Sequence, residues 1–318
     1  MHIIRALVVF VLCGAAAAQD YPARPVRVII ASTAGSLTDT VARLMAQRIT
    51  QVSKHPAIAE NRVGGGGTIA GEFVAKAPAD GHTLLGGFHG LNAILPALGA
   101  KMSFDSMRDF TPVFLFMTVP NVLTVHPAVP AKNVAELIAL ARAKPGSLTF
   151  ASQGTGSSGH LSGELFRLAA GIDIVHVPYR GPPEAVRDLL SGEVTMMFDV
   201  VPFALSNIRA GKVRPIALAT RERVAAVADV PTMPEAGFPT VEGGAWFALF
   251  VHAKTPRSII DWLNREANIA FSEPTFRERY ISQGAAIPLG TPEDAQRFVA
   301  AEFARWTQVG RSACVRLE

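Results

Sequence analysis

The chain has 318 residues, 49% of them hydrophobic and 18% charged, with a formal charge of +4. That length and balance exclude a disordered chain and leave room for two domains with a well-buried core. No run of Lys and Arg stands out and the 8% aromatic residues are not interleaved with basic ones, so the charge fits anionic solutes and speaks against nucleic acid.

The N-terminus has the layout of a targeting segment. Arg5 gives a positive start, Ala6 to Leu12 an apolar core, and Ala16-Ala17-Ala18 a cleavage site before Gln19. Residues 1–18 are therefore expected to be a signal peptide, exported and removed. The apolar run is too short to span a bilayer, and Leu12 directly before Cys13 fits a lipid-attachment site poorly. Cleavage leaves Cys314 as the only cysteine, which excludes an internal disulfide and a cysteine-based zinc site.

Val26 to Ile30 is a β-branched run suited to a buried strand. It ends in the small-residue loop Ala31-Ser32-Thr33-Ala34-Gly35-Ser36-Leu37-Thr38. Asp39 can cap the helix that follows, where Val41, Leu44, Met45, Ile49 and Val52 share a face. Pro56 to Glu60 reads as strand, Asn61 to Gly67 as a flexible turn, Ile69 to Ala77 as helix. His82 to Leu85 reads as strand opening onto a loop from Gly86 to Asn92 that contains His89. Phe110 to Val125 is expected to be extended chain crossing into a second unit.

That unit repeats the alternation. Helix is expected at Val134–Ala143, Leu161–Ala170, Pro183–Leu190 and Pro202–Ala210, and strand at Leu148–Ala151, Ile174–Val177 and Val194–Phe198, the last ending at Asp199. Val213 to Ala219 would carry the chain back, to a strand at Ala245–Val251 and a helical tail from Ser258. Alternating strand and helix predicts an α/β fold with parallel sheets. A chain that leaves one unit, builds another and returns predicts two lobes able to close about a hinge. The boundaries are 19–121 with 219–318 for lobe I and 122–218 for lobe II.

The richest chemistry lies between Leu148 and Leu161. A strand runs into glycines and hydroxyls and then into a helix, a turn that aims backbone N–H groups at one spot and suits an anion. Gly154, Gly156 and Gly159 also spell G-x-G-x-x-G, so a nucleotide-using oxidoreductase is one alternative. A dinucleotide site needs an acidic residue at the end of the next strand, whereas Asp173 precedes it. A serine hydrolase lacks G-x-S-x-G around Ser157 and Ser158, nothing local ties His160 and Asp199 to a serine, and the eight histidines are scattered. No catalytic residue, cofactor or metal site is expected. Four loops after strands are instead rich in hydrogen-bonding residues: Ser32–Ser36, Gly86–Asn92, Gln153–Ser158 and Tyr179-Arg180-Gly181. Arg180 alone can pair directly with a carboxylate.

Tyr21-Pro22-Ala23-Arg24-Pro25, Thr38-Asp39 before Ala42-Arg43, Glu60-Asn61-Arg62 with its glycines, and Ala75-Lys76-Ala77-Pro78-Ala79-Asp80-Gly81-His82 fall in order along the first half. Ser152 to Leu161, Val177-Pro178-Tyr179-Arg180-Gly181, Met197-Phe198-Asp199, Asp229-Val230-Pro231-Thr232 and Glu235-Ala236-Gly237 follow. With these markers the chain resembles the solute-binding proteins of tripartite tricarboxylate transporters, the Bug family. The resemblance implies a two-lobe periplasmic-binding-protein fold of type II, each lobe a mainly parallel sheet flanked by helices, with the cleft between. It further implies a periplasmic monomer that closes on a small carboxylate, in part through bridging waters, and delivers it to a membrane permease. An orphan receptor serving a sensor is the other alternative. Carried over, the first-lobe loop is Ser32, Thr33, Ala34, Gly35 and Ser36 with Asp39. The second-lobe cradle is Gln153, Gly154, Thr155, Gly156, Ser157 and Ser158, and Asn92, Tyr179 and Asp199 match cleft positions. The first loop departs from the family's P-F-x-x-G-G: Ala31 to Ser36 lacks the proline, the aromatic and the second glycine.

Overall fold

The computed structural model describes residues 21–313. The expected signal peptide, Cys13 and Cys314 lie outside the described residues.

The first lobe opens with β1 (Val26–Ile30), α1 (Leu37–Val52), β2 (Ala57–Asn61), α2 (Thr68–Ala75) and β3 (Thr83–Phe88). A wide helical turn at Gly90–Ile94 runs into α3 (Leu95–Ala97), then α4 (Ser106–Asp109) and the long β4 (Phe110–Val125). The second lobe contains α5 (Val134–Ala143), β5 (Thr149–Ser152), α6 (Ser158–Ala170), β6 (Val175–Pro178), α7 (Pro182–Ser191), β7 (Met196–Val200), α8 (Val201–Arg209) and β8 (Arg214–Leu218). Then follow β9 (Gly244–His252), α9 (Arg257–Phe271), α10 (Pro274–Ile281) and α11 (Pro292–Ala313). Among the described residues no helix is long and apolar enough to cross a membrane.

The strands run in the order β2-β1-β3-β9-β4-β7-β5-β6, with β8 beside β4. The alternation of strand and helix yields the expected parallel triplets, β2-β1-β3 and β7-β5-β6. Between them β9 and β4 are antiparallel, and β8 is antiparallel to β4. Both sheets are therefore mixed. Phe110–Val125 is the crossing: its first part pairs with β9 as far as Pro120↔Gly244, and from Asn121↔Val200 onward it pairs with β7. Pro120 stands at the switch, where its missing N–H makes a change of partner cheap.

The core divides largely by lobe, with Val200 of β7 joining the first-lobe cluster and Ile94 and Trp306 the second. Met45, Phe114, Phe116 and Phe271 centre one side of the first sheet, and Leu85, Phe104 and Phe250 the other. Phe150, Leu161, Phe166 and Phe198 centre the second lobe, where Met233 and Val241 are also buried. At the junction three segments meet through their backbones. Asn121 donates to the Gly243 carbonyl at 3.2 Å, Ala219 to that of Asn121 at 2.8 Å, and Gly243 to that of Ala219 at 2.9 Å. The buried Asn121 side chain donates to Ser162 Oγ at 3.1 Å and accepts from Ser158 Oγ at 3.3 Å.

Three element boundaries differ from the sequence reading in ways that matter for the site. β3 continues through Gly86 and Gly87 to Phe88, because these glycines admit close neighbours: a Cβ on Gly87 would lie 2.2 Å from Asn92 Oδ1. α6 begins at Ser158, three residues before the expected Leu161, because Ser157 caps it. β7 runs on to Val200, so Asp199 lies within the strand.

Candidate functional site

The site is built from two helix starts. In the first lobe Gly35 adopts φ +80°, Ser36 is the N-cap of α1, and Ser36 Oγ accepts from Asp39 N at 3.2 Å. In the second Gly156 adopts φ +79°, Ser157 is the N-cap of α6, and Ser157 Oγ accepts from His160 N at 3.3 Å. Each cap satisfies one of the orphan donors of a helix N-terminus. Neither cap takes the first two N–H groups of its helix, although in α6 the first of them, Ser158 N, donates to His89 Nε2 at 3.0 Å; the macrodipole at each start favours an anion.

The residue three after each cap reaches back to the glycine before it. Asp39 Oδ2 accepts from Gly35 N at 3.0 Å, and His160 Nδ1 from Gly156 N at 3.2 Å. Burial alone would raise the Asp39 pKa, but bonds from Arg43, Gly35 N and Asn61 outweigh it and hold the carboxyl below its ordinary value. Burial depresses His160 to about 4, so its neutral ring accepts the glycine N–H. His160 stacks on His176 with centroids 4.2 Å apart, and His176 Nε2 lies 2.7 Å from Ser152 Oγ beneath the same loop. Ser152 is fully buried.

Between the helix starts lies a cleft of about 670 Å³. Ser32, Thr33 and Ser36 line it from the first lobe, and Gln153, Gly154, Thr155, Gly156, Ser157 and Ser158 from the second. His89, Tyr179, Arg180 and Asp199 complete the residues placed there from sequence. Ala34 and Gly35 are exposed and do not line it, and Asp39 is buried behind the loop as its brace. Asn92 is a correction. It lies in the helical turn after β3, fully buried, with Oδ1 accepting from Phe88 N and Nδ2 donating to Ser106 Oγ.

The charges in the cleft are few. Arg180 is exposed, is the one Lys or Arg lining the cleft, and makes no ion pair among the described residues. Asp199 is 3% exposed; burial pushes its carboxyl up to about 7 against bonds from Val200 N and Gln153 Nε2. Tyr179 gives its hydroxyl to Asp188 at 2.8 Å, and desolvation followed by that bond raises it to about 12. The Tyr179 side chain packs against the cluster of Ala151, Ala185 and Leu189, and its hydroxyl is taken up by Asp188. His89 bridges the lobes: its Nε2 accepts from Ser158 N at 3.0 Å, and burial lowers its pKa to about 4. A neutral Nδ1–H tautomer follows, since the acceptor nitrogen carries no proton.

Sequence reasoning missed the apolar lining. Phe88, Phe203 and Phe247 face the cleft, as do Leu95 and the turn Val63 to Gly67. They come from five separate segments, so no local pattern gathers them; the glycine run was the one visible signal. Asp173 precedes β6, away from the Tyr179 end of that strand, and Gly159 lies inside α6. Among the described residues no group of three or more His, Cys, Asp and Glu is placed to hold a metal ion.

Residues 41–313 match the family model described as the tripartite tricarboxylate transporter family receptor. The chain belongs to this receptor family. It is similar to a structure of Rpa4515 from R. palustris with adipate, at 37% identity and TM-score 0.86 over 93% of this chain and 99% of that one. It is similar to MatC from Rhodopseudomonas palustris with bound malate, at 34% identity and TM-score 0.84, covering 91% and 99% of the two chains. The periplasmic binding protein BugD is 30% identical with TM-score 0.84, covering 93% and 99%. The two-lobe architecture is thus that of periplasmic binding proteins of this receptor family.

Proposed function

We propose that this chain is a non-enzymatic extracytoplasmic receptor that closes on a small carboxylated organic acid and delivers it to the permease of a tripartite tricarboxylate-type transporter. The observation that carries this reading is the pair of matched helix starts, one per lobe, that converge on a cleft whose single basic side chain, Arg180, is unpaired among the described residues. Such an arrangement binds an anion through backbone N–H groups, hydroxyls and one guanidinium. Carboxylates in two related receptors, adipate and malate, support the ligand class.

In this reading the ligand-binding residues are those lining the cleft from the two jaws with Tyr179, Arg180 and Asp199. The lobes turn about the Asn121–Ala219–Gly243 junction. Since Met233 and Val241 are buried in the second core, the return crossing is assigned to Gly243 and Gly244. The N-terminal segment Arg5 to Ala18 and the periplasmic relative BugD support export to the periplasm, and the receptor reading takes the protein to act as a monomer. A thermal-shift screen of mono-, di- and tricarboxylates tests the reading. A ligand at a hundred times its dissociation constant stabilises the fold by about 2.7 kcal/mol. A screen in which no carboxylate raises the melting temperature, while NAD does, refutes it.

A further inference from the structure

One wall of the cleft is aromatic and drawn from both lobes. Phe88 and Phe247 are register partners across β3 and β9, and Phe203 comes from the first turn of α8. Val200 and Ala245 join them in one apolar cluster continuous with the first-lobe core. Phe88 and Phe203 are only partly buried, so each keeps ring surface for an occupant. The cleft volume of about 670 Å³ falls among pockets that hold drug-sized molecules.

The charged groups are unequal to a polyanion. Arg180 is the one cation lining the cleft, and it lies at an exposed position. Asp199 is the one acid, deeply buried, with Gln153 Nε2 and Val200 N as its hydrogen-bond donors. A second carboxylate on the ligand would meet no second Lys or Arg among the residues lining the cleft, which Asp199 also lines. Unpaired buried charge is costly, whereas apolar surface placed against phenylalanine rings is favoured.

We propose that the ligand is a monocarboxylate with an apolar body at least the size of a ring, its carboxylate held by the two helix starts and Arg180 and its body against Phe88, Phe203 and Phe247. This rests on the receptor reading and narrows it.

The test is calorimetric titration of the purified mature protein with benzoate, cyclohexanecarboxylate and octanoate against malate, adipate and citrate. At least one of the first three is expected to bind about tenfold or more tighter than every member of the second set. Phe203→Ala should weaken that ligand about tenfold or more while Phe203→Leu, which keeps apolar surface, loses much less. Thermal melting of both variants checks that they fold. Tightest binding by malate, adipate or citrate overturns the inference and leaves the receptor reading standing. Equal affinity in wild type and Phe203→Ala also overturns it. Silence of all six acids overturns the inference, and the wider thermal-shift screen then decides the receptor reading separately.

Discussion

Asp39 and His160 occupy matching positions in the two jaws, and each accepts the N–H of the positive-φ glycine four residues before it. One is a carboxylate braced by Arg43 and Asn61, the other a neutral imidazole stacked on His176. Different chemistry thus holds the same backbone shape. Asp39→Ala strips acceptors from Gly35 N, Arg43 and Asn61 and should cost about 1–3 kcal/mol, read from urea unfolding. His160→Ala orphans one buried N–H and should fall at the lower end of that range. A loss below about 0.5 kcal/mol in both would remove the bracing role.

The two glycines should not be equally intolerant. Gly35 and Gly156 share the left-handed conformation, so an alanine at either costs about 1–2 kcal/mol in backbone strain. A Cβ on Gly35 meets nothing within 4 Å, whereas one on Gly156 would lie 3.1 Å from Leu95 Cδ2. Gly156→Ala should therefore be the more destabilising of the two, and Gly156→Val worse still while the fold largely persists. Equal melting temperatures for the two alanine variants would contradict this packing.

The junction between the lobes has no spare volume. A Cβ on Gly243 would lie 1.9 Å from Ser162 Oγ, the acceptor of the Asn121 amide. Gly243→Ala should destabilise the protein by a few kcal/mol, about the cost of overpacking plus a lost buried bond. Ser162→Ala removes the clashing oxygen, so the double variant should be more stable than the sum of the singles predicts. A double-mutant cycle in urea measures that coupling. Strict additivity would sink the account of the junction.

Opposing groups shape the pH dependence. Asp199 is raised from 3.8 to about 7 in the folded state. Its ionisation penalty is absent below the unfolded value and grows as pH rises from about 4 to 7, so this group lowers stability at neutral pH. His89 and His160 are depressed from 6.5 to about 4. They disfavour folding increasingly as pH falls from about 6.5 to 4, where the unfolded chain takes up protons that the folded ring refuses. Asp199→Asn should raise stability at pH 8 by a few kcal/mol, at about 1.4 kcal/mol per pKa unit, and leave pH 4 nearly unchanged. The urea midpoint at both pH values reads it; no gain at pH 8 would contradict the burial of an unpaired acid.

Much of this was legible from local pattern. The second jaw announces itself as Phe150-Ala151-Ser152 followed by glycines, hydroxyls and an amphipathic helix, and the alternation of β-branched runs with helical spacing foretells the parallel triplets. The antiparallel β9 and β4 were not legible, because pairing direction depends on where the chain goes between strands. Asn92 was misplaced because Gly86-Gly87 looks like a loop, although in β3 those glycines make room for Ala42, Asn92 and Phe250. The aromatic wall and the His89–Ser158 bridge join residues far apart in sequence, which no local signal reports.

In the proposed binding mode both jaws and Arg180 hold the anion together. The most direct test of that mode is titration of the wild type, Gly35→Ala, Gly156→Ala and Arg180→Ala with the tightest of the six acids named above. All three variants should bind at least about tenfold more weakly, and the Arg180→Ala affinity should fall less with added salt than that of the wild type. Wild-type affinity in any of the three variants, with the protein folded, would contradict it.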